Sequence, residues 1–147
     1  MVRKYINLYE KVGKYFVVYE FACPHCNECL IDDELVKILD AIREEIKSPV
    51  IVTSGYRCQE HNLEIGGAPQ SKHILGIASD IVAPKLTVKE LYIVAERILG
   101  NRGGLGYYPA RGFVHIDTRK EVARWYEIKK GVYLPLTQDK KKLLGLA

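Results

Sequence analysis

The sequence predicts an α+β domain built on a mainly antiparallel sheet. Three observations point there. Two segments carry apolar residues at helical spacing. The strand-like runs are short and rich in β-branched residues. Helices and strands follow one another without a βαβ rhythm.

Tyr15 to Tyr19 reads as a short strand or an extended lead-in. The first helix starts at Asp32-Asp33-Glu34, where acids complement the helix dipole. Leu35, Ile38, Leu39, Ile42 and Ile46 form its apolar face, and Ser48-Pro49 ends it. Val50 to Thr53 is predicted as a buried strand, broken by Ser54-Gly55-Tyr56-Arg57. A short helix runs from near Gln59 to Gly66-Gly67, and a strand covers Ala78 to Val82. Thr87 and Glu90 form a capping box ahead of Leu91, Val94, Ala95 and Ile98. Leu105–Tyr108 and Gly112–Ile116 read as a hairpin around Pro109-Ala110-Arg111. Glu121 to Tyr133 is ambiguous, with Trp125 and Tyr126 expected on the core. From about Thr137 the chain reads as a loosely held tail or a short helix.

The 147 residues suit a single domain, with its centre over about 21–119. A hydrophobic fraction of 48% and a charged fraction of 27% fit a soluble globular chain. No apolar run is long enough to span a bilayer. The start, Met1-Val2-Arg3-Lys4-Tyr5, soon meets Asn7, Glu10 and Lys11, so it lacks a signal-peptide apolar core. The expectation is a protein that is cytoplasmic as synthesised. Net charge is +4, part of it in Lys140-Lys141-Lys142. That run suits a polyanion or simply a solvated tail. No nucleic-acid motif accompanies it, so no nucleic acid is expected as a partner.

Two stretches carry chemistry. The first is Ser71-Lys72-His73-Ile74-Leu75-Gly76-Ile77-Ala78-Ser79-Asp80; the second is Phe113-Val114-His115-Ile116-Asp117. His73, Asp80 and His115 make a two-histidine, one-carboxylate set of the kind that holds zinc and leaves a coordination place for water. An unpaired carboxylate on an apolar strand is costly to bury, and a cation beside it removes that cost. The alternative is two ordinary loop or core histidines and an edge aspartate. A third cluster is Cys23-Pro24-His25-Cys26-Asn27-Glu28-Cys29, with Cys58 as the only other cysteine. The spacing suits a structural metal held by Cys23, Cys26, Cys29 and Cys58; a disulfide involving Cys58 and free thiols are the alternatives.

The motifs together resemble a known family. Ser54-Gly55-Tyr56-Arg57, Asn62, Gly66-Gly67, the S-x-H-x-x-G-x-A-x-D element from Ser71 to Asp80, Gly106-x-Tyr108 and V-H-I-D from Val114 to Asp117 are similar to the zinc D-alanyl-D-alanine carboxypeptidases. The resemblance spans about Phe21 to Arg119 and is strongest to the small peptidases of bacteria and phage lysins. It implies the Hedgehog/DD-peptidase fold, a small antiparallel sheet with helices packed on it. It also implies a zinc peptidase cutting peptidoglycan stem or cross-link peptides, as a carboxypeptidase or an endopeptidase. A monomer acting on wall peptides after phage-type lysis is the expectation.

Residue by residue, the resemblance makes His73, Asp80 and His115 zinc ligands. Arg57 faces the metal and stabilises the oxyanion, or forms a structural ion pair. Ser71 lies near substrate or holds the loop backbone. Relatives place an acid or a histidine two or three residues before the last ligand, where this chain has Phe113 and Gly112. Asp117 shares the strand face of His115 and is either the general base or the group that orients a ligand histidine. Glu60 and His61 are lesser candidates for the base, or a solvated helix face. The missing upstream acid keeps a second reading open, a non-catalytic zinc-binding module of the same fold.

Overall fold

The computed structural model describes residues 1–26 and 28–147; Asn27, inside the cysteine motif, lies outside the described residues. Helix α1 (Asp33–Ile46) forms where the apolar spacing predicts it, with the Asp32 side chain accepting from the Glu34 N–H at its start. It ends one residue before Ser48-Pro49, at Lys47 in a left-handed conformation. Helix α2 (Gln59–Glu64) is short. Helix α3 (Val88–Leu99) carries the capping box read from Thr87 and Glu90, with both reciprocal bonds made.

The main sheet has six strands: β5 (Ile51–Ser54), β6 (Ala78–Val82), β7 (Gly104–Tyr108), β8 (Phe113–Asp117), β9 (Ala123–Lys129) and β10 (Val132–Pro135). Their order is β10-β9-β7-β8-β6-β5. Neighbours are antiparallel except β7 and β9, which run parallel. The α+β class therefore holds, but the sheet is larger than the small one expected. The added strands come from the ambiguous 121–133 stretch and the residues just after it. There β9 has both faces partly covered, so its sequence shows no clean apolar–polar alternation.

Two pairs flank this sheet. One joins β1 (Val2–Tyr5) to β4 (Cys29–Asp32); the other joins β2 (Lys11–Val12) to β3 (Phe16–Val17). Strand β5 is not buried as predicted. It lies on the sheet edge, and Ile51 is 46% exposed. Its β-branched run reports strand propensity, which central and edge strands share.

Along β8, Val114 and Ile116 point into the core with Leu35, Leu39, Leu91 and Tyr92 from α1 and α3. Phe113, His115 and Asp117 take the opposite face. The alternation thus separates a dry helix-covered side of the sheet from the side that carries the polar residues.

The tail is not loosely held. Helix α4 (Gln138–Leu144) is capped by Thr137, and Leu136 and Leu146 are buried. Lys141 Nζ reaches Glu96 Oε2 at 2.8 Å, and Arg124 Nε shares that oxygen at 3.1 Å. Part of the basic run is thus an internal tie between α4, α3 and β9.

Candidate metal centre and cleft

One register row crosses the sheet on its polar face. Trp125 of β9 stands opposite Gly106 of β7, which stands opposite His115 of β8, then Asp80 of β6, then Ser54 of β5. His73 joins the row from the turn before β6. Gly76 lets that turn close: its φ is +77°, and a Cβ there would stand 2.7 Å from the Leu30 Cβ. The Ser71 hydroxyl accepts the His73 backbone N–H at 3.2 Å.

The hydrogen bonds fix both histidine tautomers. His73 Nδ1 lies 2.7 Å from the Gly55 carbonyl, an acceptor only, so Nδ1 carries the proton. His115 Nε2 lies 2.8 Å from Asp117 Oδ2 and donates to it. The remaining nitrogens both face Asp80 Oδ1, His73 Nε2 at 3.3 Å and His115 Nδ1 at 3.0 Å. Three lone-pair atoms then converge, all within 4.8 Å of one another. Such a cluster is repulsive unless a cation lies among them.

A proton is the minimal cation. Burial disfavours charge on His115, but hydrogen bonds to Asp117 and Asp80 outweigh it and push the pKa up to about 9. Burial works against the Asp80 carboxylate too, yet hydrogen bonds from His115 and His73 hold it far below the usual carboxylate range. The donor set, two imidazole nitrogens and one carboxylate oxygen, is also one that zinc accepts. The residues present therefore fit a divalent metal.

Asp117 sits behind His115, away from the cleft. Its side chain is fully buried. Oδ1 accepts from the Gly104 N–H, the Arg119 N–H and Arg119 Nε; Oδ2 accepts from Arg119 Nη2 and His115. The base role expected of it is corrected here, because both oxygens are filled by donors. The orienting alternative fits the geometry. Glu60 and His61 do not line the cleft either.

Arg57 does reach the cleft. Nε donates to Ser54 Oγ at 3.1 Å, Nη1 to Asn62 Oδ1 at 3.2 Å, and Nη2 to Asp80 Oδ2 at 3.4 Å. These contacts leave two of its five N–H groups free. Ser71 lines the same cleft, whose volume is about 820 Å³, within the usual range for ligand pockets.

The profile of the peptidase M15 family matches residues 14–117, most of the chain and all of this centre. The chain belongs to the peptidase M15 family. M15 peptidases are zinc metallopeptidases, which agrees with the donor set at His73, Asp80 and His115. Curated relatives include the peptidoglycan L,D-endopeptidase MepK of Escherichia coli K12, its counterpart in Escherichia coli O157:H7 and that of Shigella flexneri. Each is 36% identical over 77 residues, 49% of this chain. The matched part spans 41% of each relative's length.

Around the M15 centre stand residues that sequence reasoning missed. Trp125, expected on the core, lines the cleft, with its ring centroid 5.3 Å from that of His115. Its indole N–H donates to Tyr108 Oη at 3.0 Å, and Tyr108 stacks on Phe113 at 4.5 Å. Gly106 makes room for this wall, since a Cβ there would stand 2.7 Å from the Trp125 ring. The signal available was Gly106-x-Tyr108, a small residue in a strand where another side chain must cross close to the backbone.

Away from the M15 centre, Cys23, Cys26 and Cys58 come together. Cys29 does not join them. It is the first residue of β4, and its buried thiol faces the Val18 carbonyl at 3.7 Å. Even spacing along the chain does not report side-chain direction once a strand begins. Among the described residues, no helix is long and apolar enough to cross a membrane.

Proposed function

We propose that the chain is a zinc peptidase that hydrolyses amide bonds in peptidoglycan peptides. The observation that carries the reading is the convergence of His73 Nε2, Asp80 Oδ1 and His115 Nδ1. M15 membership and the peptidoglycan endopeptidase named among its relatives support it. Zinc held by these three residues would supply a polarising Lewis acid and an acidified water.

The chain's own residues divide the remaining work. Asp117 holds His115 in the tautomer that leaves Nδ1 free, and Gly55 does the same for His73 Nε2. Arg57 offers its free N–H groups to the carbonyl oxygen as negative charge develops there. Arg57, Lys72, Arg111, Arg119 and Lys130 line the cleft against a single carboxylate, Asp80, which favours peptides that carry carboxylates. Ser71 holds the His73 backbone and faces the same space. The aromatic wall of Trp125, Tyr108 and Phe113 gives a peptide an apolar side to lie against.

One observation favours the second reading, a non-catalytic zinc-binding module. Apart from the three ligand candidates, no histidine or carboxylate lines the cleft among the described residues. Tyr108 is no substitute, because burial pushes its phenol up to about 12.

Purified muropeptides incubated with zinc-loaded protein, then analysed by mass spectrometry, separate the two readings. New peptide termini that are absent with His73→Ala support hydrolysis and identify the bond. Bound zinc with no cleavage of any muropeptide supports the binding module.

A further inference from the structure

The cysteine group lies outside the cleft and has no part in the proposed hydrolysis. Its geometry is that of a second metal site. Cys23 Sγ and Cys58 Sγ are 3.7 Å apart. That is too far for a disulfide, whose sulfurs stand about 2.0 Å apart, and all four cysteines are free. Tetrahedral zinc with Zn–S near 2.3 Å and Zn–N near 2.0 Å sets S–S edges of about 3.8 Å and S–N edges of about 3.5 Å. The first edge matches the Cys23–Cys58 distance. The second matches His25 Nδ1, which lies 3.5 Å from Cys58 Sγ. Ligand atoms of Cys23, Cys26 and Cys58 lie within 4.8 Å of one another.

The surroundings suit thiolates. The Cys58 N–H points at Cys23 Sγ at 3.5 Å, and the His61 N–H points at Cys58 Sγ at 3.5 Å. Burial raises the Cys23 pKa, but N–H groups of Cys58, Cys26 and His25 aimed at its sulfur bring it below the ordinary thiol value. Burial keeps the Cys26 thiol up at about 11, so a metal must displace its proton. His25 Nε2 faces Glu60 Oε2 and Glu64 Oε1, each at 3.8 Å. Carboxylates behind an imidazole hold the proton on that nitrogen and leave the other one free to ligate.

We propose that Cys23, Cys26 and Cys58, with His25 Nδ1 as fourth ligand, bind a structural zinc ion. On binding, the three thiols lose their protons to solvent, the imidazole stays neutral, and the site carries one net negative charge. A set of three sulfurs and one nitrogen selects zinc over magnesium or calcium, which prefer oxygen. Four protein ligands leave no open position, so the site is structural and not catalytic. Its place explains what it does. It ties residues 23–26 to Cys58, 35 positions away from Cys23 and adjacent to Arg57. The Tyr56 N–H bonds to the Phe21 carbonyl at 2.8 Å in the same crossing. The metal would anchor the stretch that presents Arg57 to the cleft.

Metal analysis of the full chain, purified under reducing conditions without chelator, tests the site. Two zinc ions per chain are expected in the wild type, one in His73→Ala, one in Cys26→Ser and two in Cys29→Ala. Cobalt substitution provides a second readout that does not depend on Cys26→Ser folding. Wild type and His73→Ala should both show thiolate-to-cobalt charge-transfer absorption. A wild type with one zinc that disappears in His73→Ala, and no charge-transfer band with cobalt, would overturn the proposal. So would a Cys23–Cys58 disulfide in freshly purified, folded protein. Loss of the histidine-bound zinc alone would count against the proposed hydrolase and leave this site standing.

Discussion

His115 Nε2 lies 2.8 Å from Asp117 Oδ2, and Arg119 grips the same carboxylate through Nε and Nη2 at 2.8 and 2.7 Å. The carboxylate is thus occupied on one side by a cation and on the other by the imidazole it orients. Asp117→Asn should weaken zinc binding at the histidine centre by about 10- to 100-fold. Muropeptide cleavage should fall with it and recover when zinc is raised to saturation. If cleavage stays low at saturating zinc, Asp117 has a direct part in proton transfer and the orienting role is wrong.

Arg57 reaches Ser54, Asn62 and Asp80 through three different nitrogens. A lysine keeps the charge but not the fork. Arg57→Lys should lower kcat by about 10²-fold, the scale of losing one donor to a developing oxyanion. Zinc content should not change. A normal kcat in the variant would reduce Arg57 to a structural ion pair.

Metal-free protein should lose stability as pH rises. The folded His115 pKa of about 9 exceeds the ordinary value of about 6.5. A raised pKa gives stability that is complete below the unfolded value and is lost as pH passes through the folded one. Asp80 and Asp117 are held low, so their contributions disappear only in acid. With EDTA present, Tm should fall between about pH 6.5 and 9; with zinc bound, the fall should be much smaller. A metal-free Tm that is flat or rising across that window contradicts the tautomer assignment.

Gly106 lies under the Trp125 ring in the same register row as His115. Gly106→Ala should displace Trp125 and cost about 1 to 3 kcal/mol in unfolding measurements, as overpacking does. Quenching of Trp125 fluorescence by added muropeptide should weaken as well. An unchanged quenching curve would remove Trp125 from the peptide-binding wall.

Much of the centre was readable because its residues obey local rules. The spacing from His73 to Asp80 fits a turn into a strand, and Val114-His115-Ile116-Asp117 alternates core and cleft side chains. The helix at 33–46 and the capping box at Thr87 were equally local. What stayed hidden depends on distant partners. Strand β9 carries Glu127, buried at 1% exposure because Arg111 pairs with it at 2.9 and 2.7 Å, and such a charge spoils a strand pattern. The tail seemed loose because Lys140-Lys141-Lys142 hides Leu146, whose burial needs α4 to dock through Glu96. Cys29 was grouped with the other cysteines by spacing, and only the strand that begins there turns its thiol inward.

Anomalous diffraction at the zinc absorption edge, from crystals of the zinc-loaded chain, addresses the shared-cation arrangement most directly. A peak about 2.0 to 2.2 Å from His73 Nε2, Asp80 Oδ1 and His115 Nδ1 is the expected result. No peak among those three atoms at saturating zinc, with the imidazoles still facing Asp80, would contradict it.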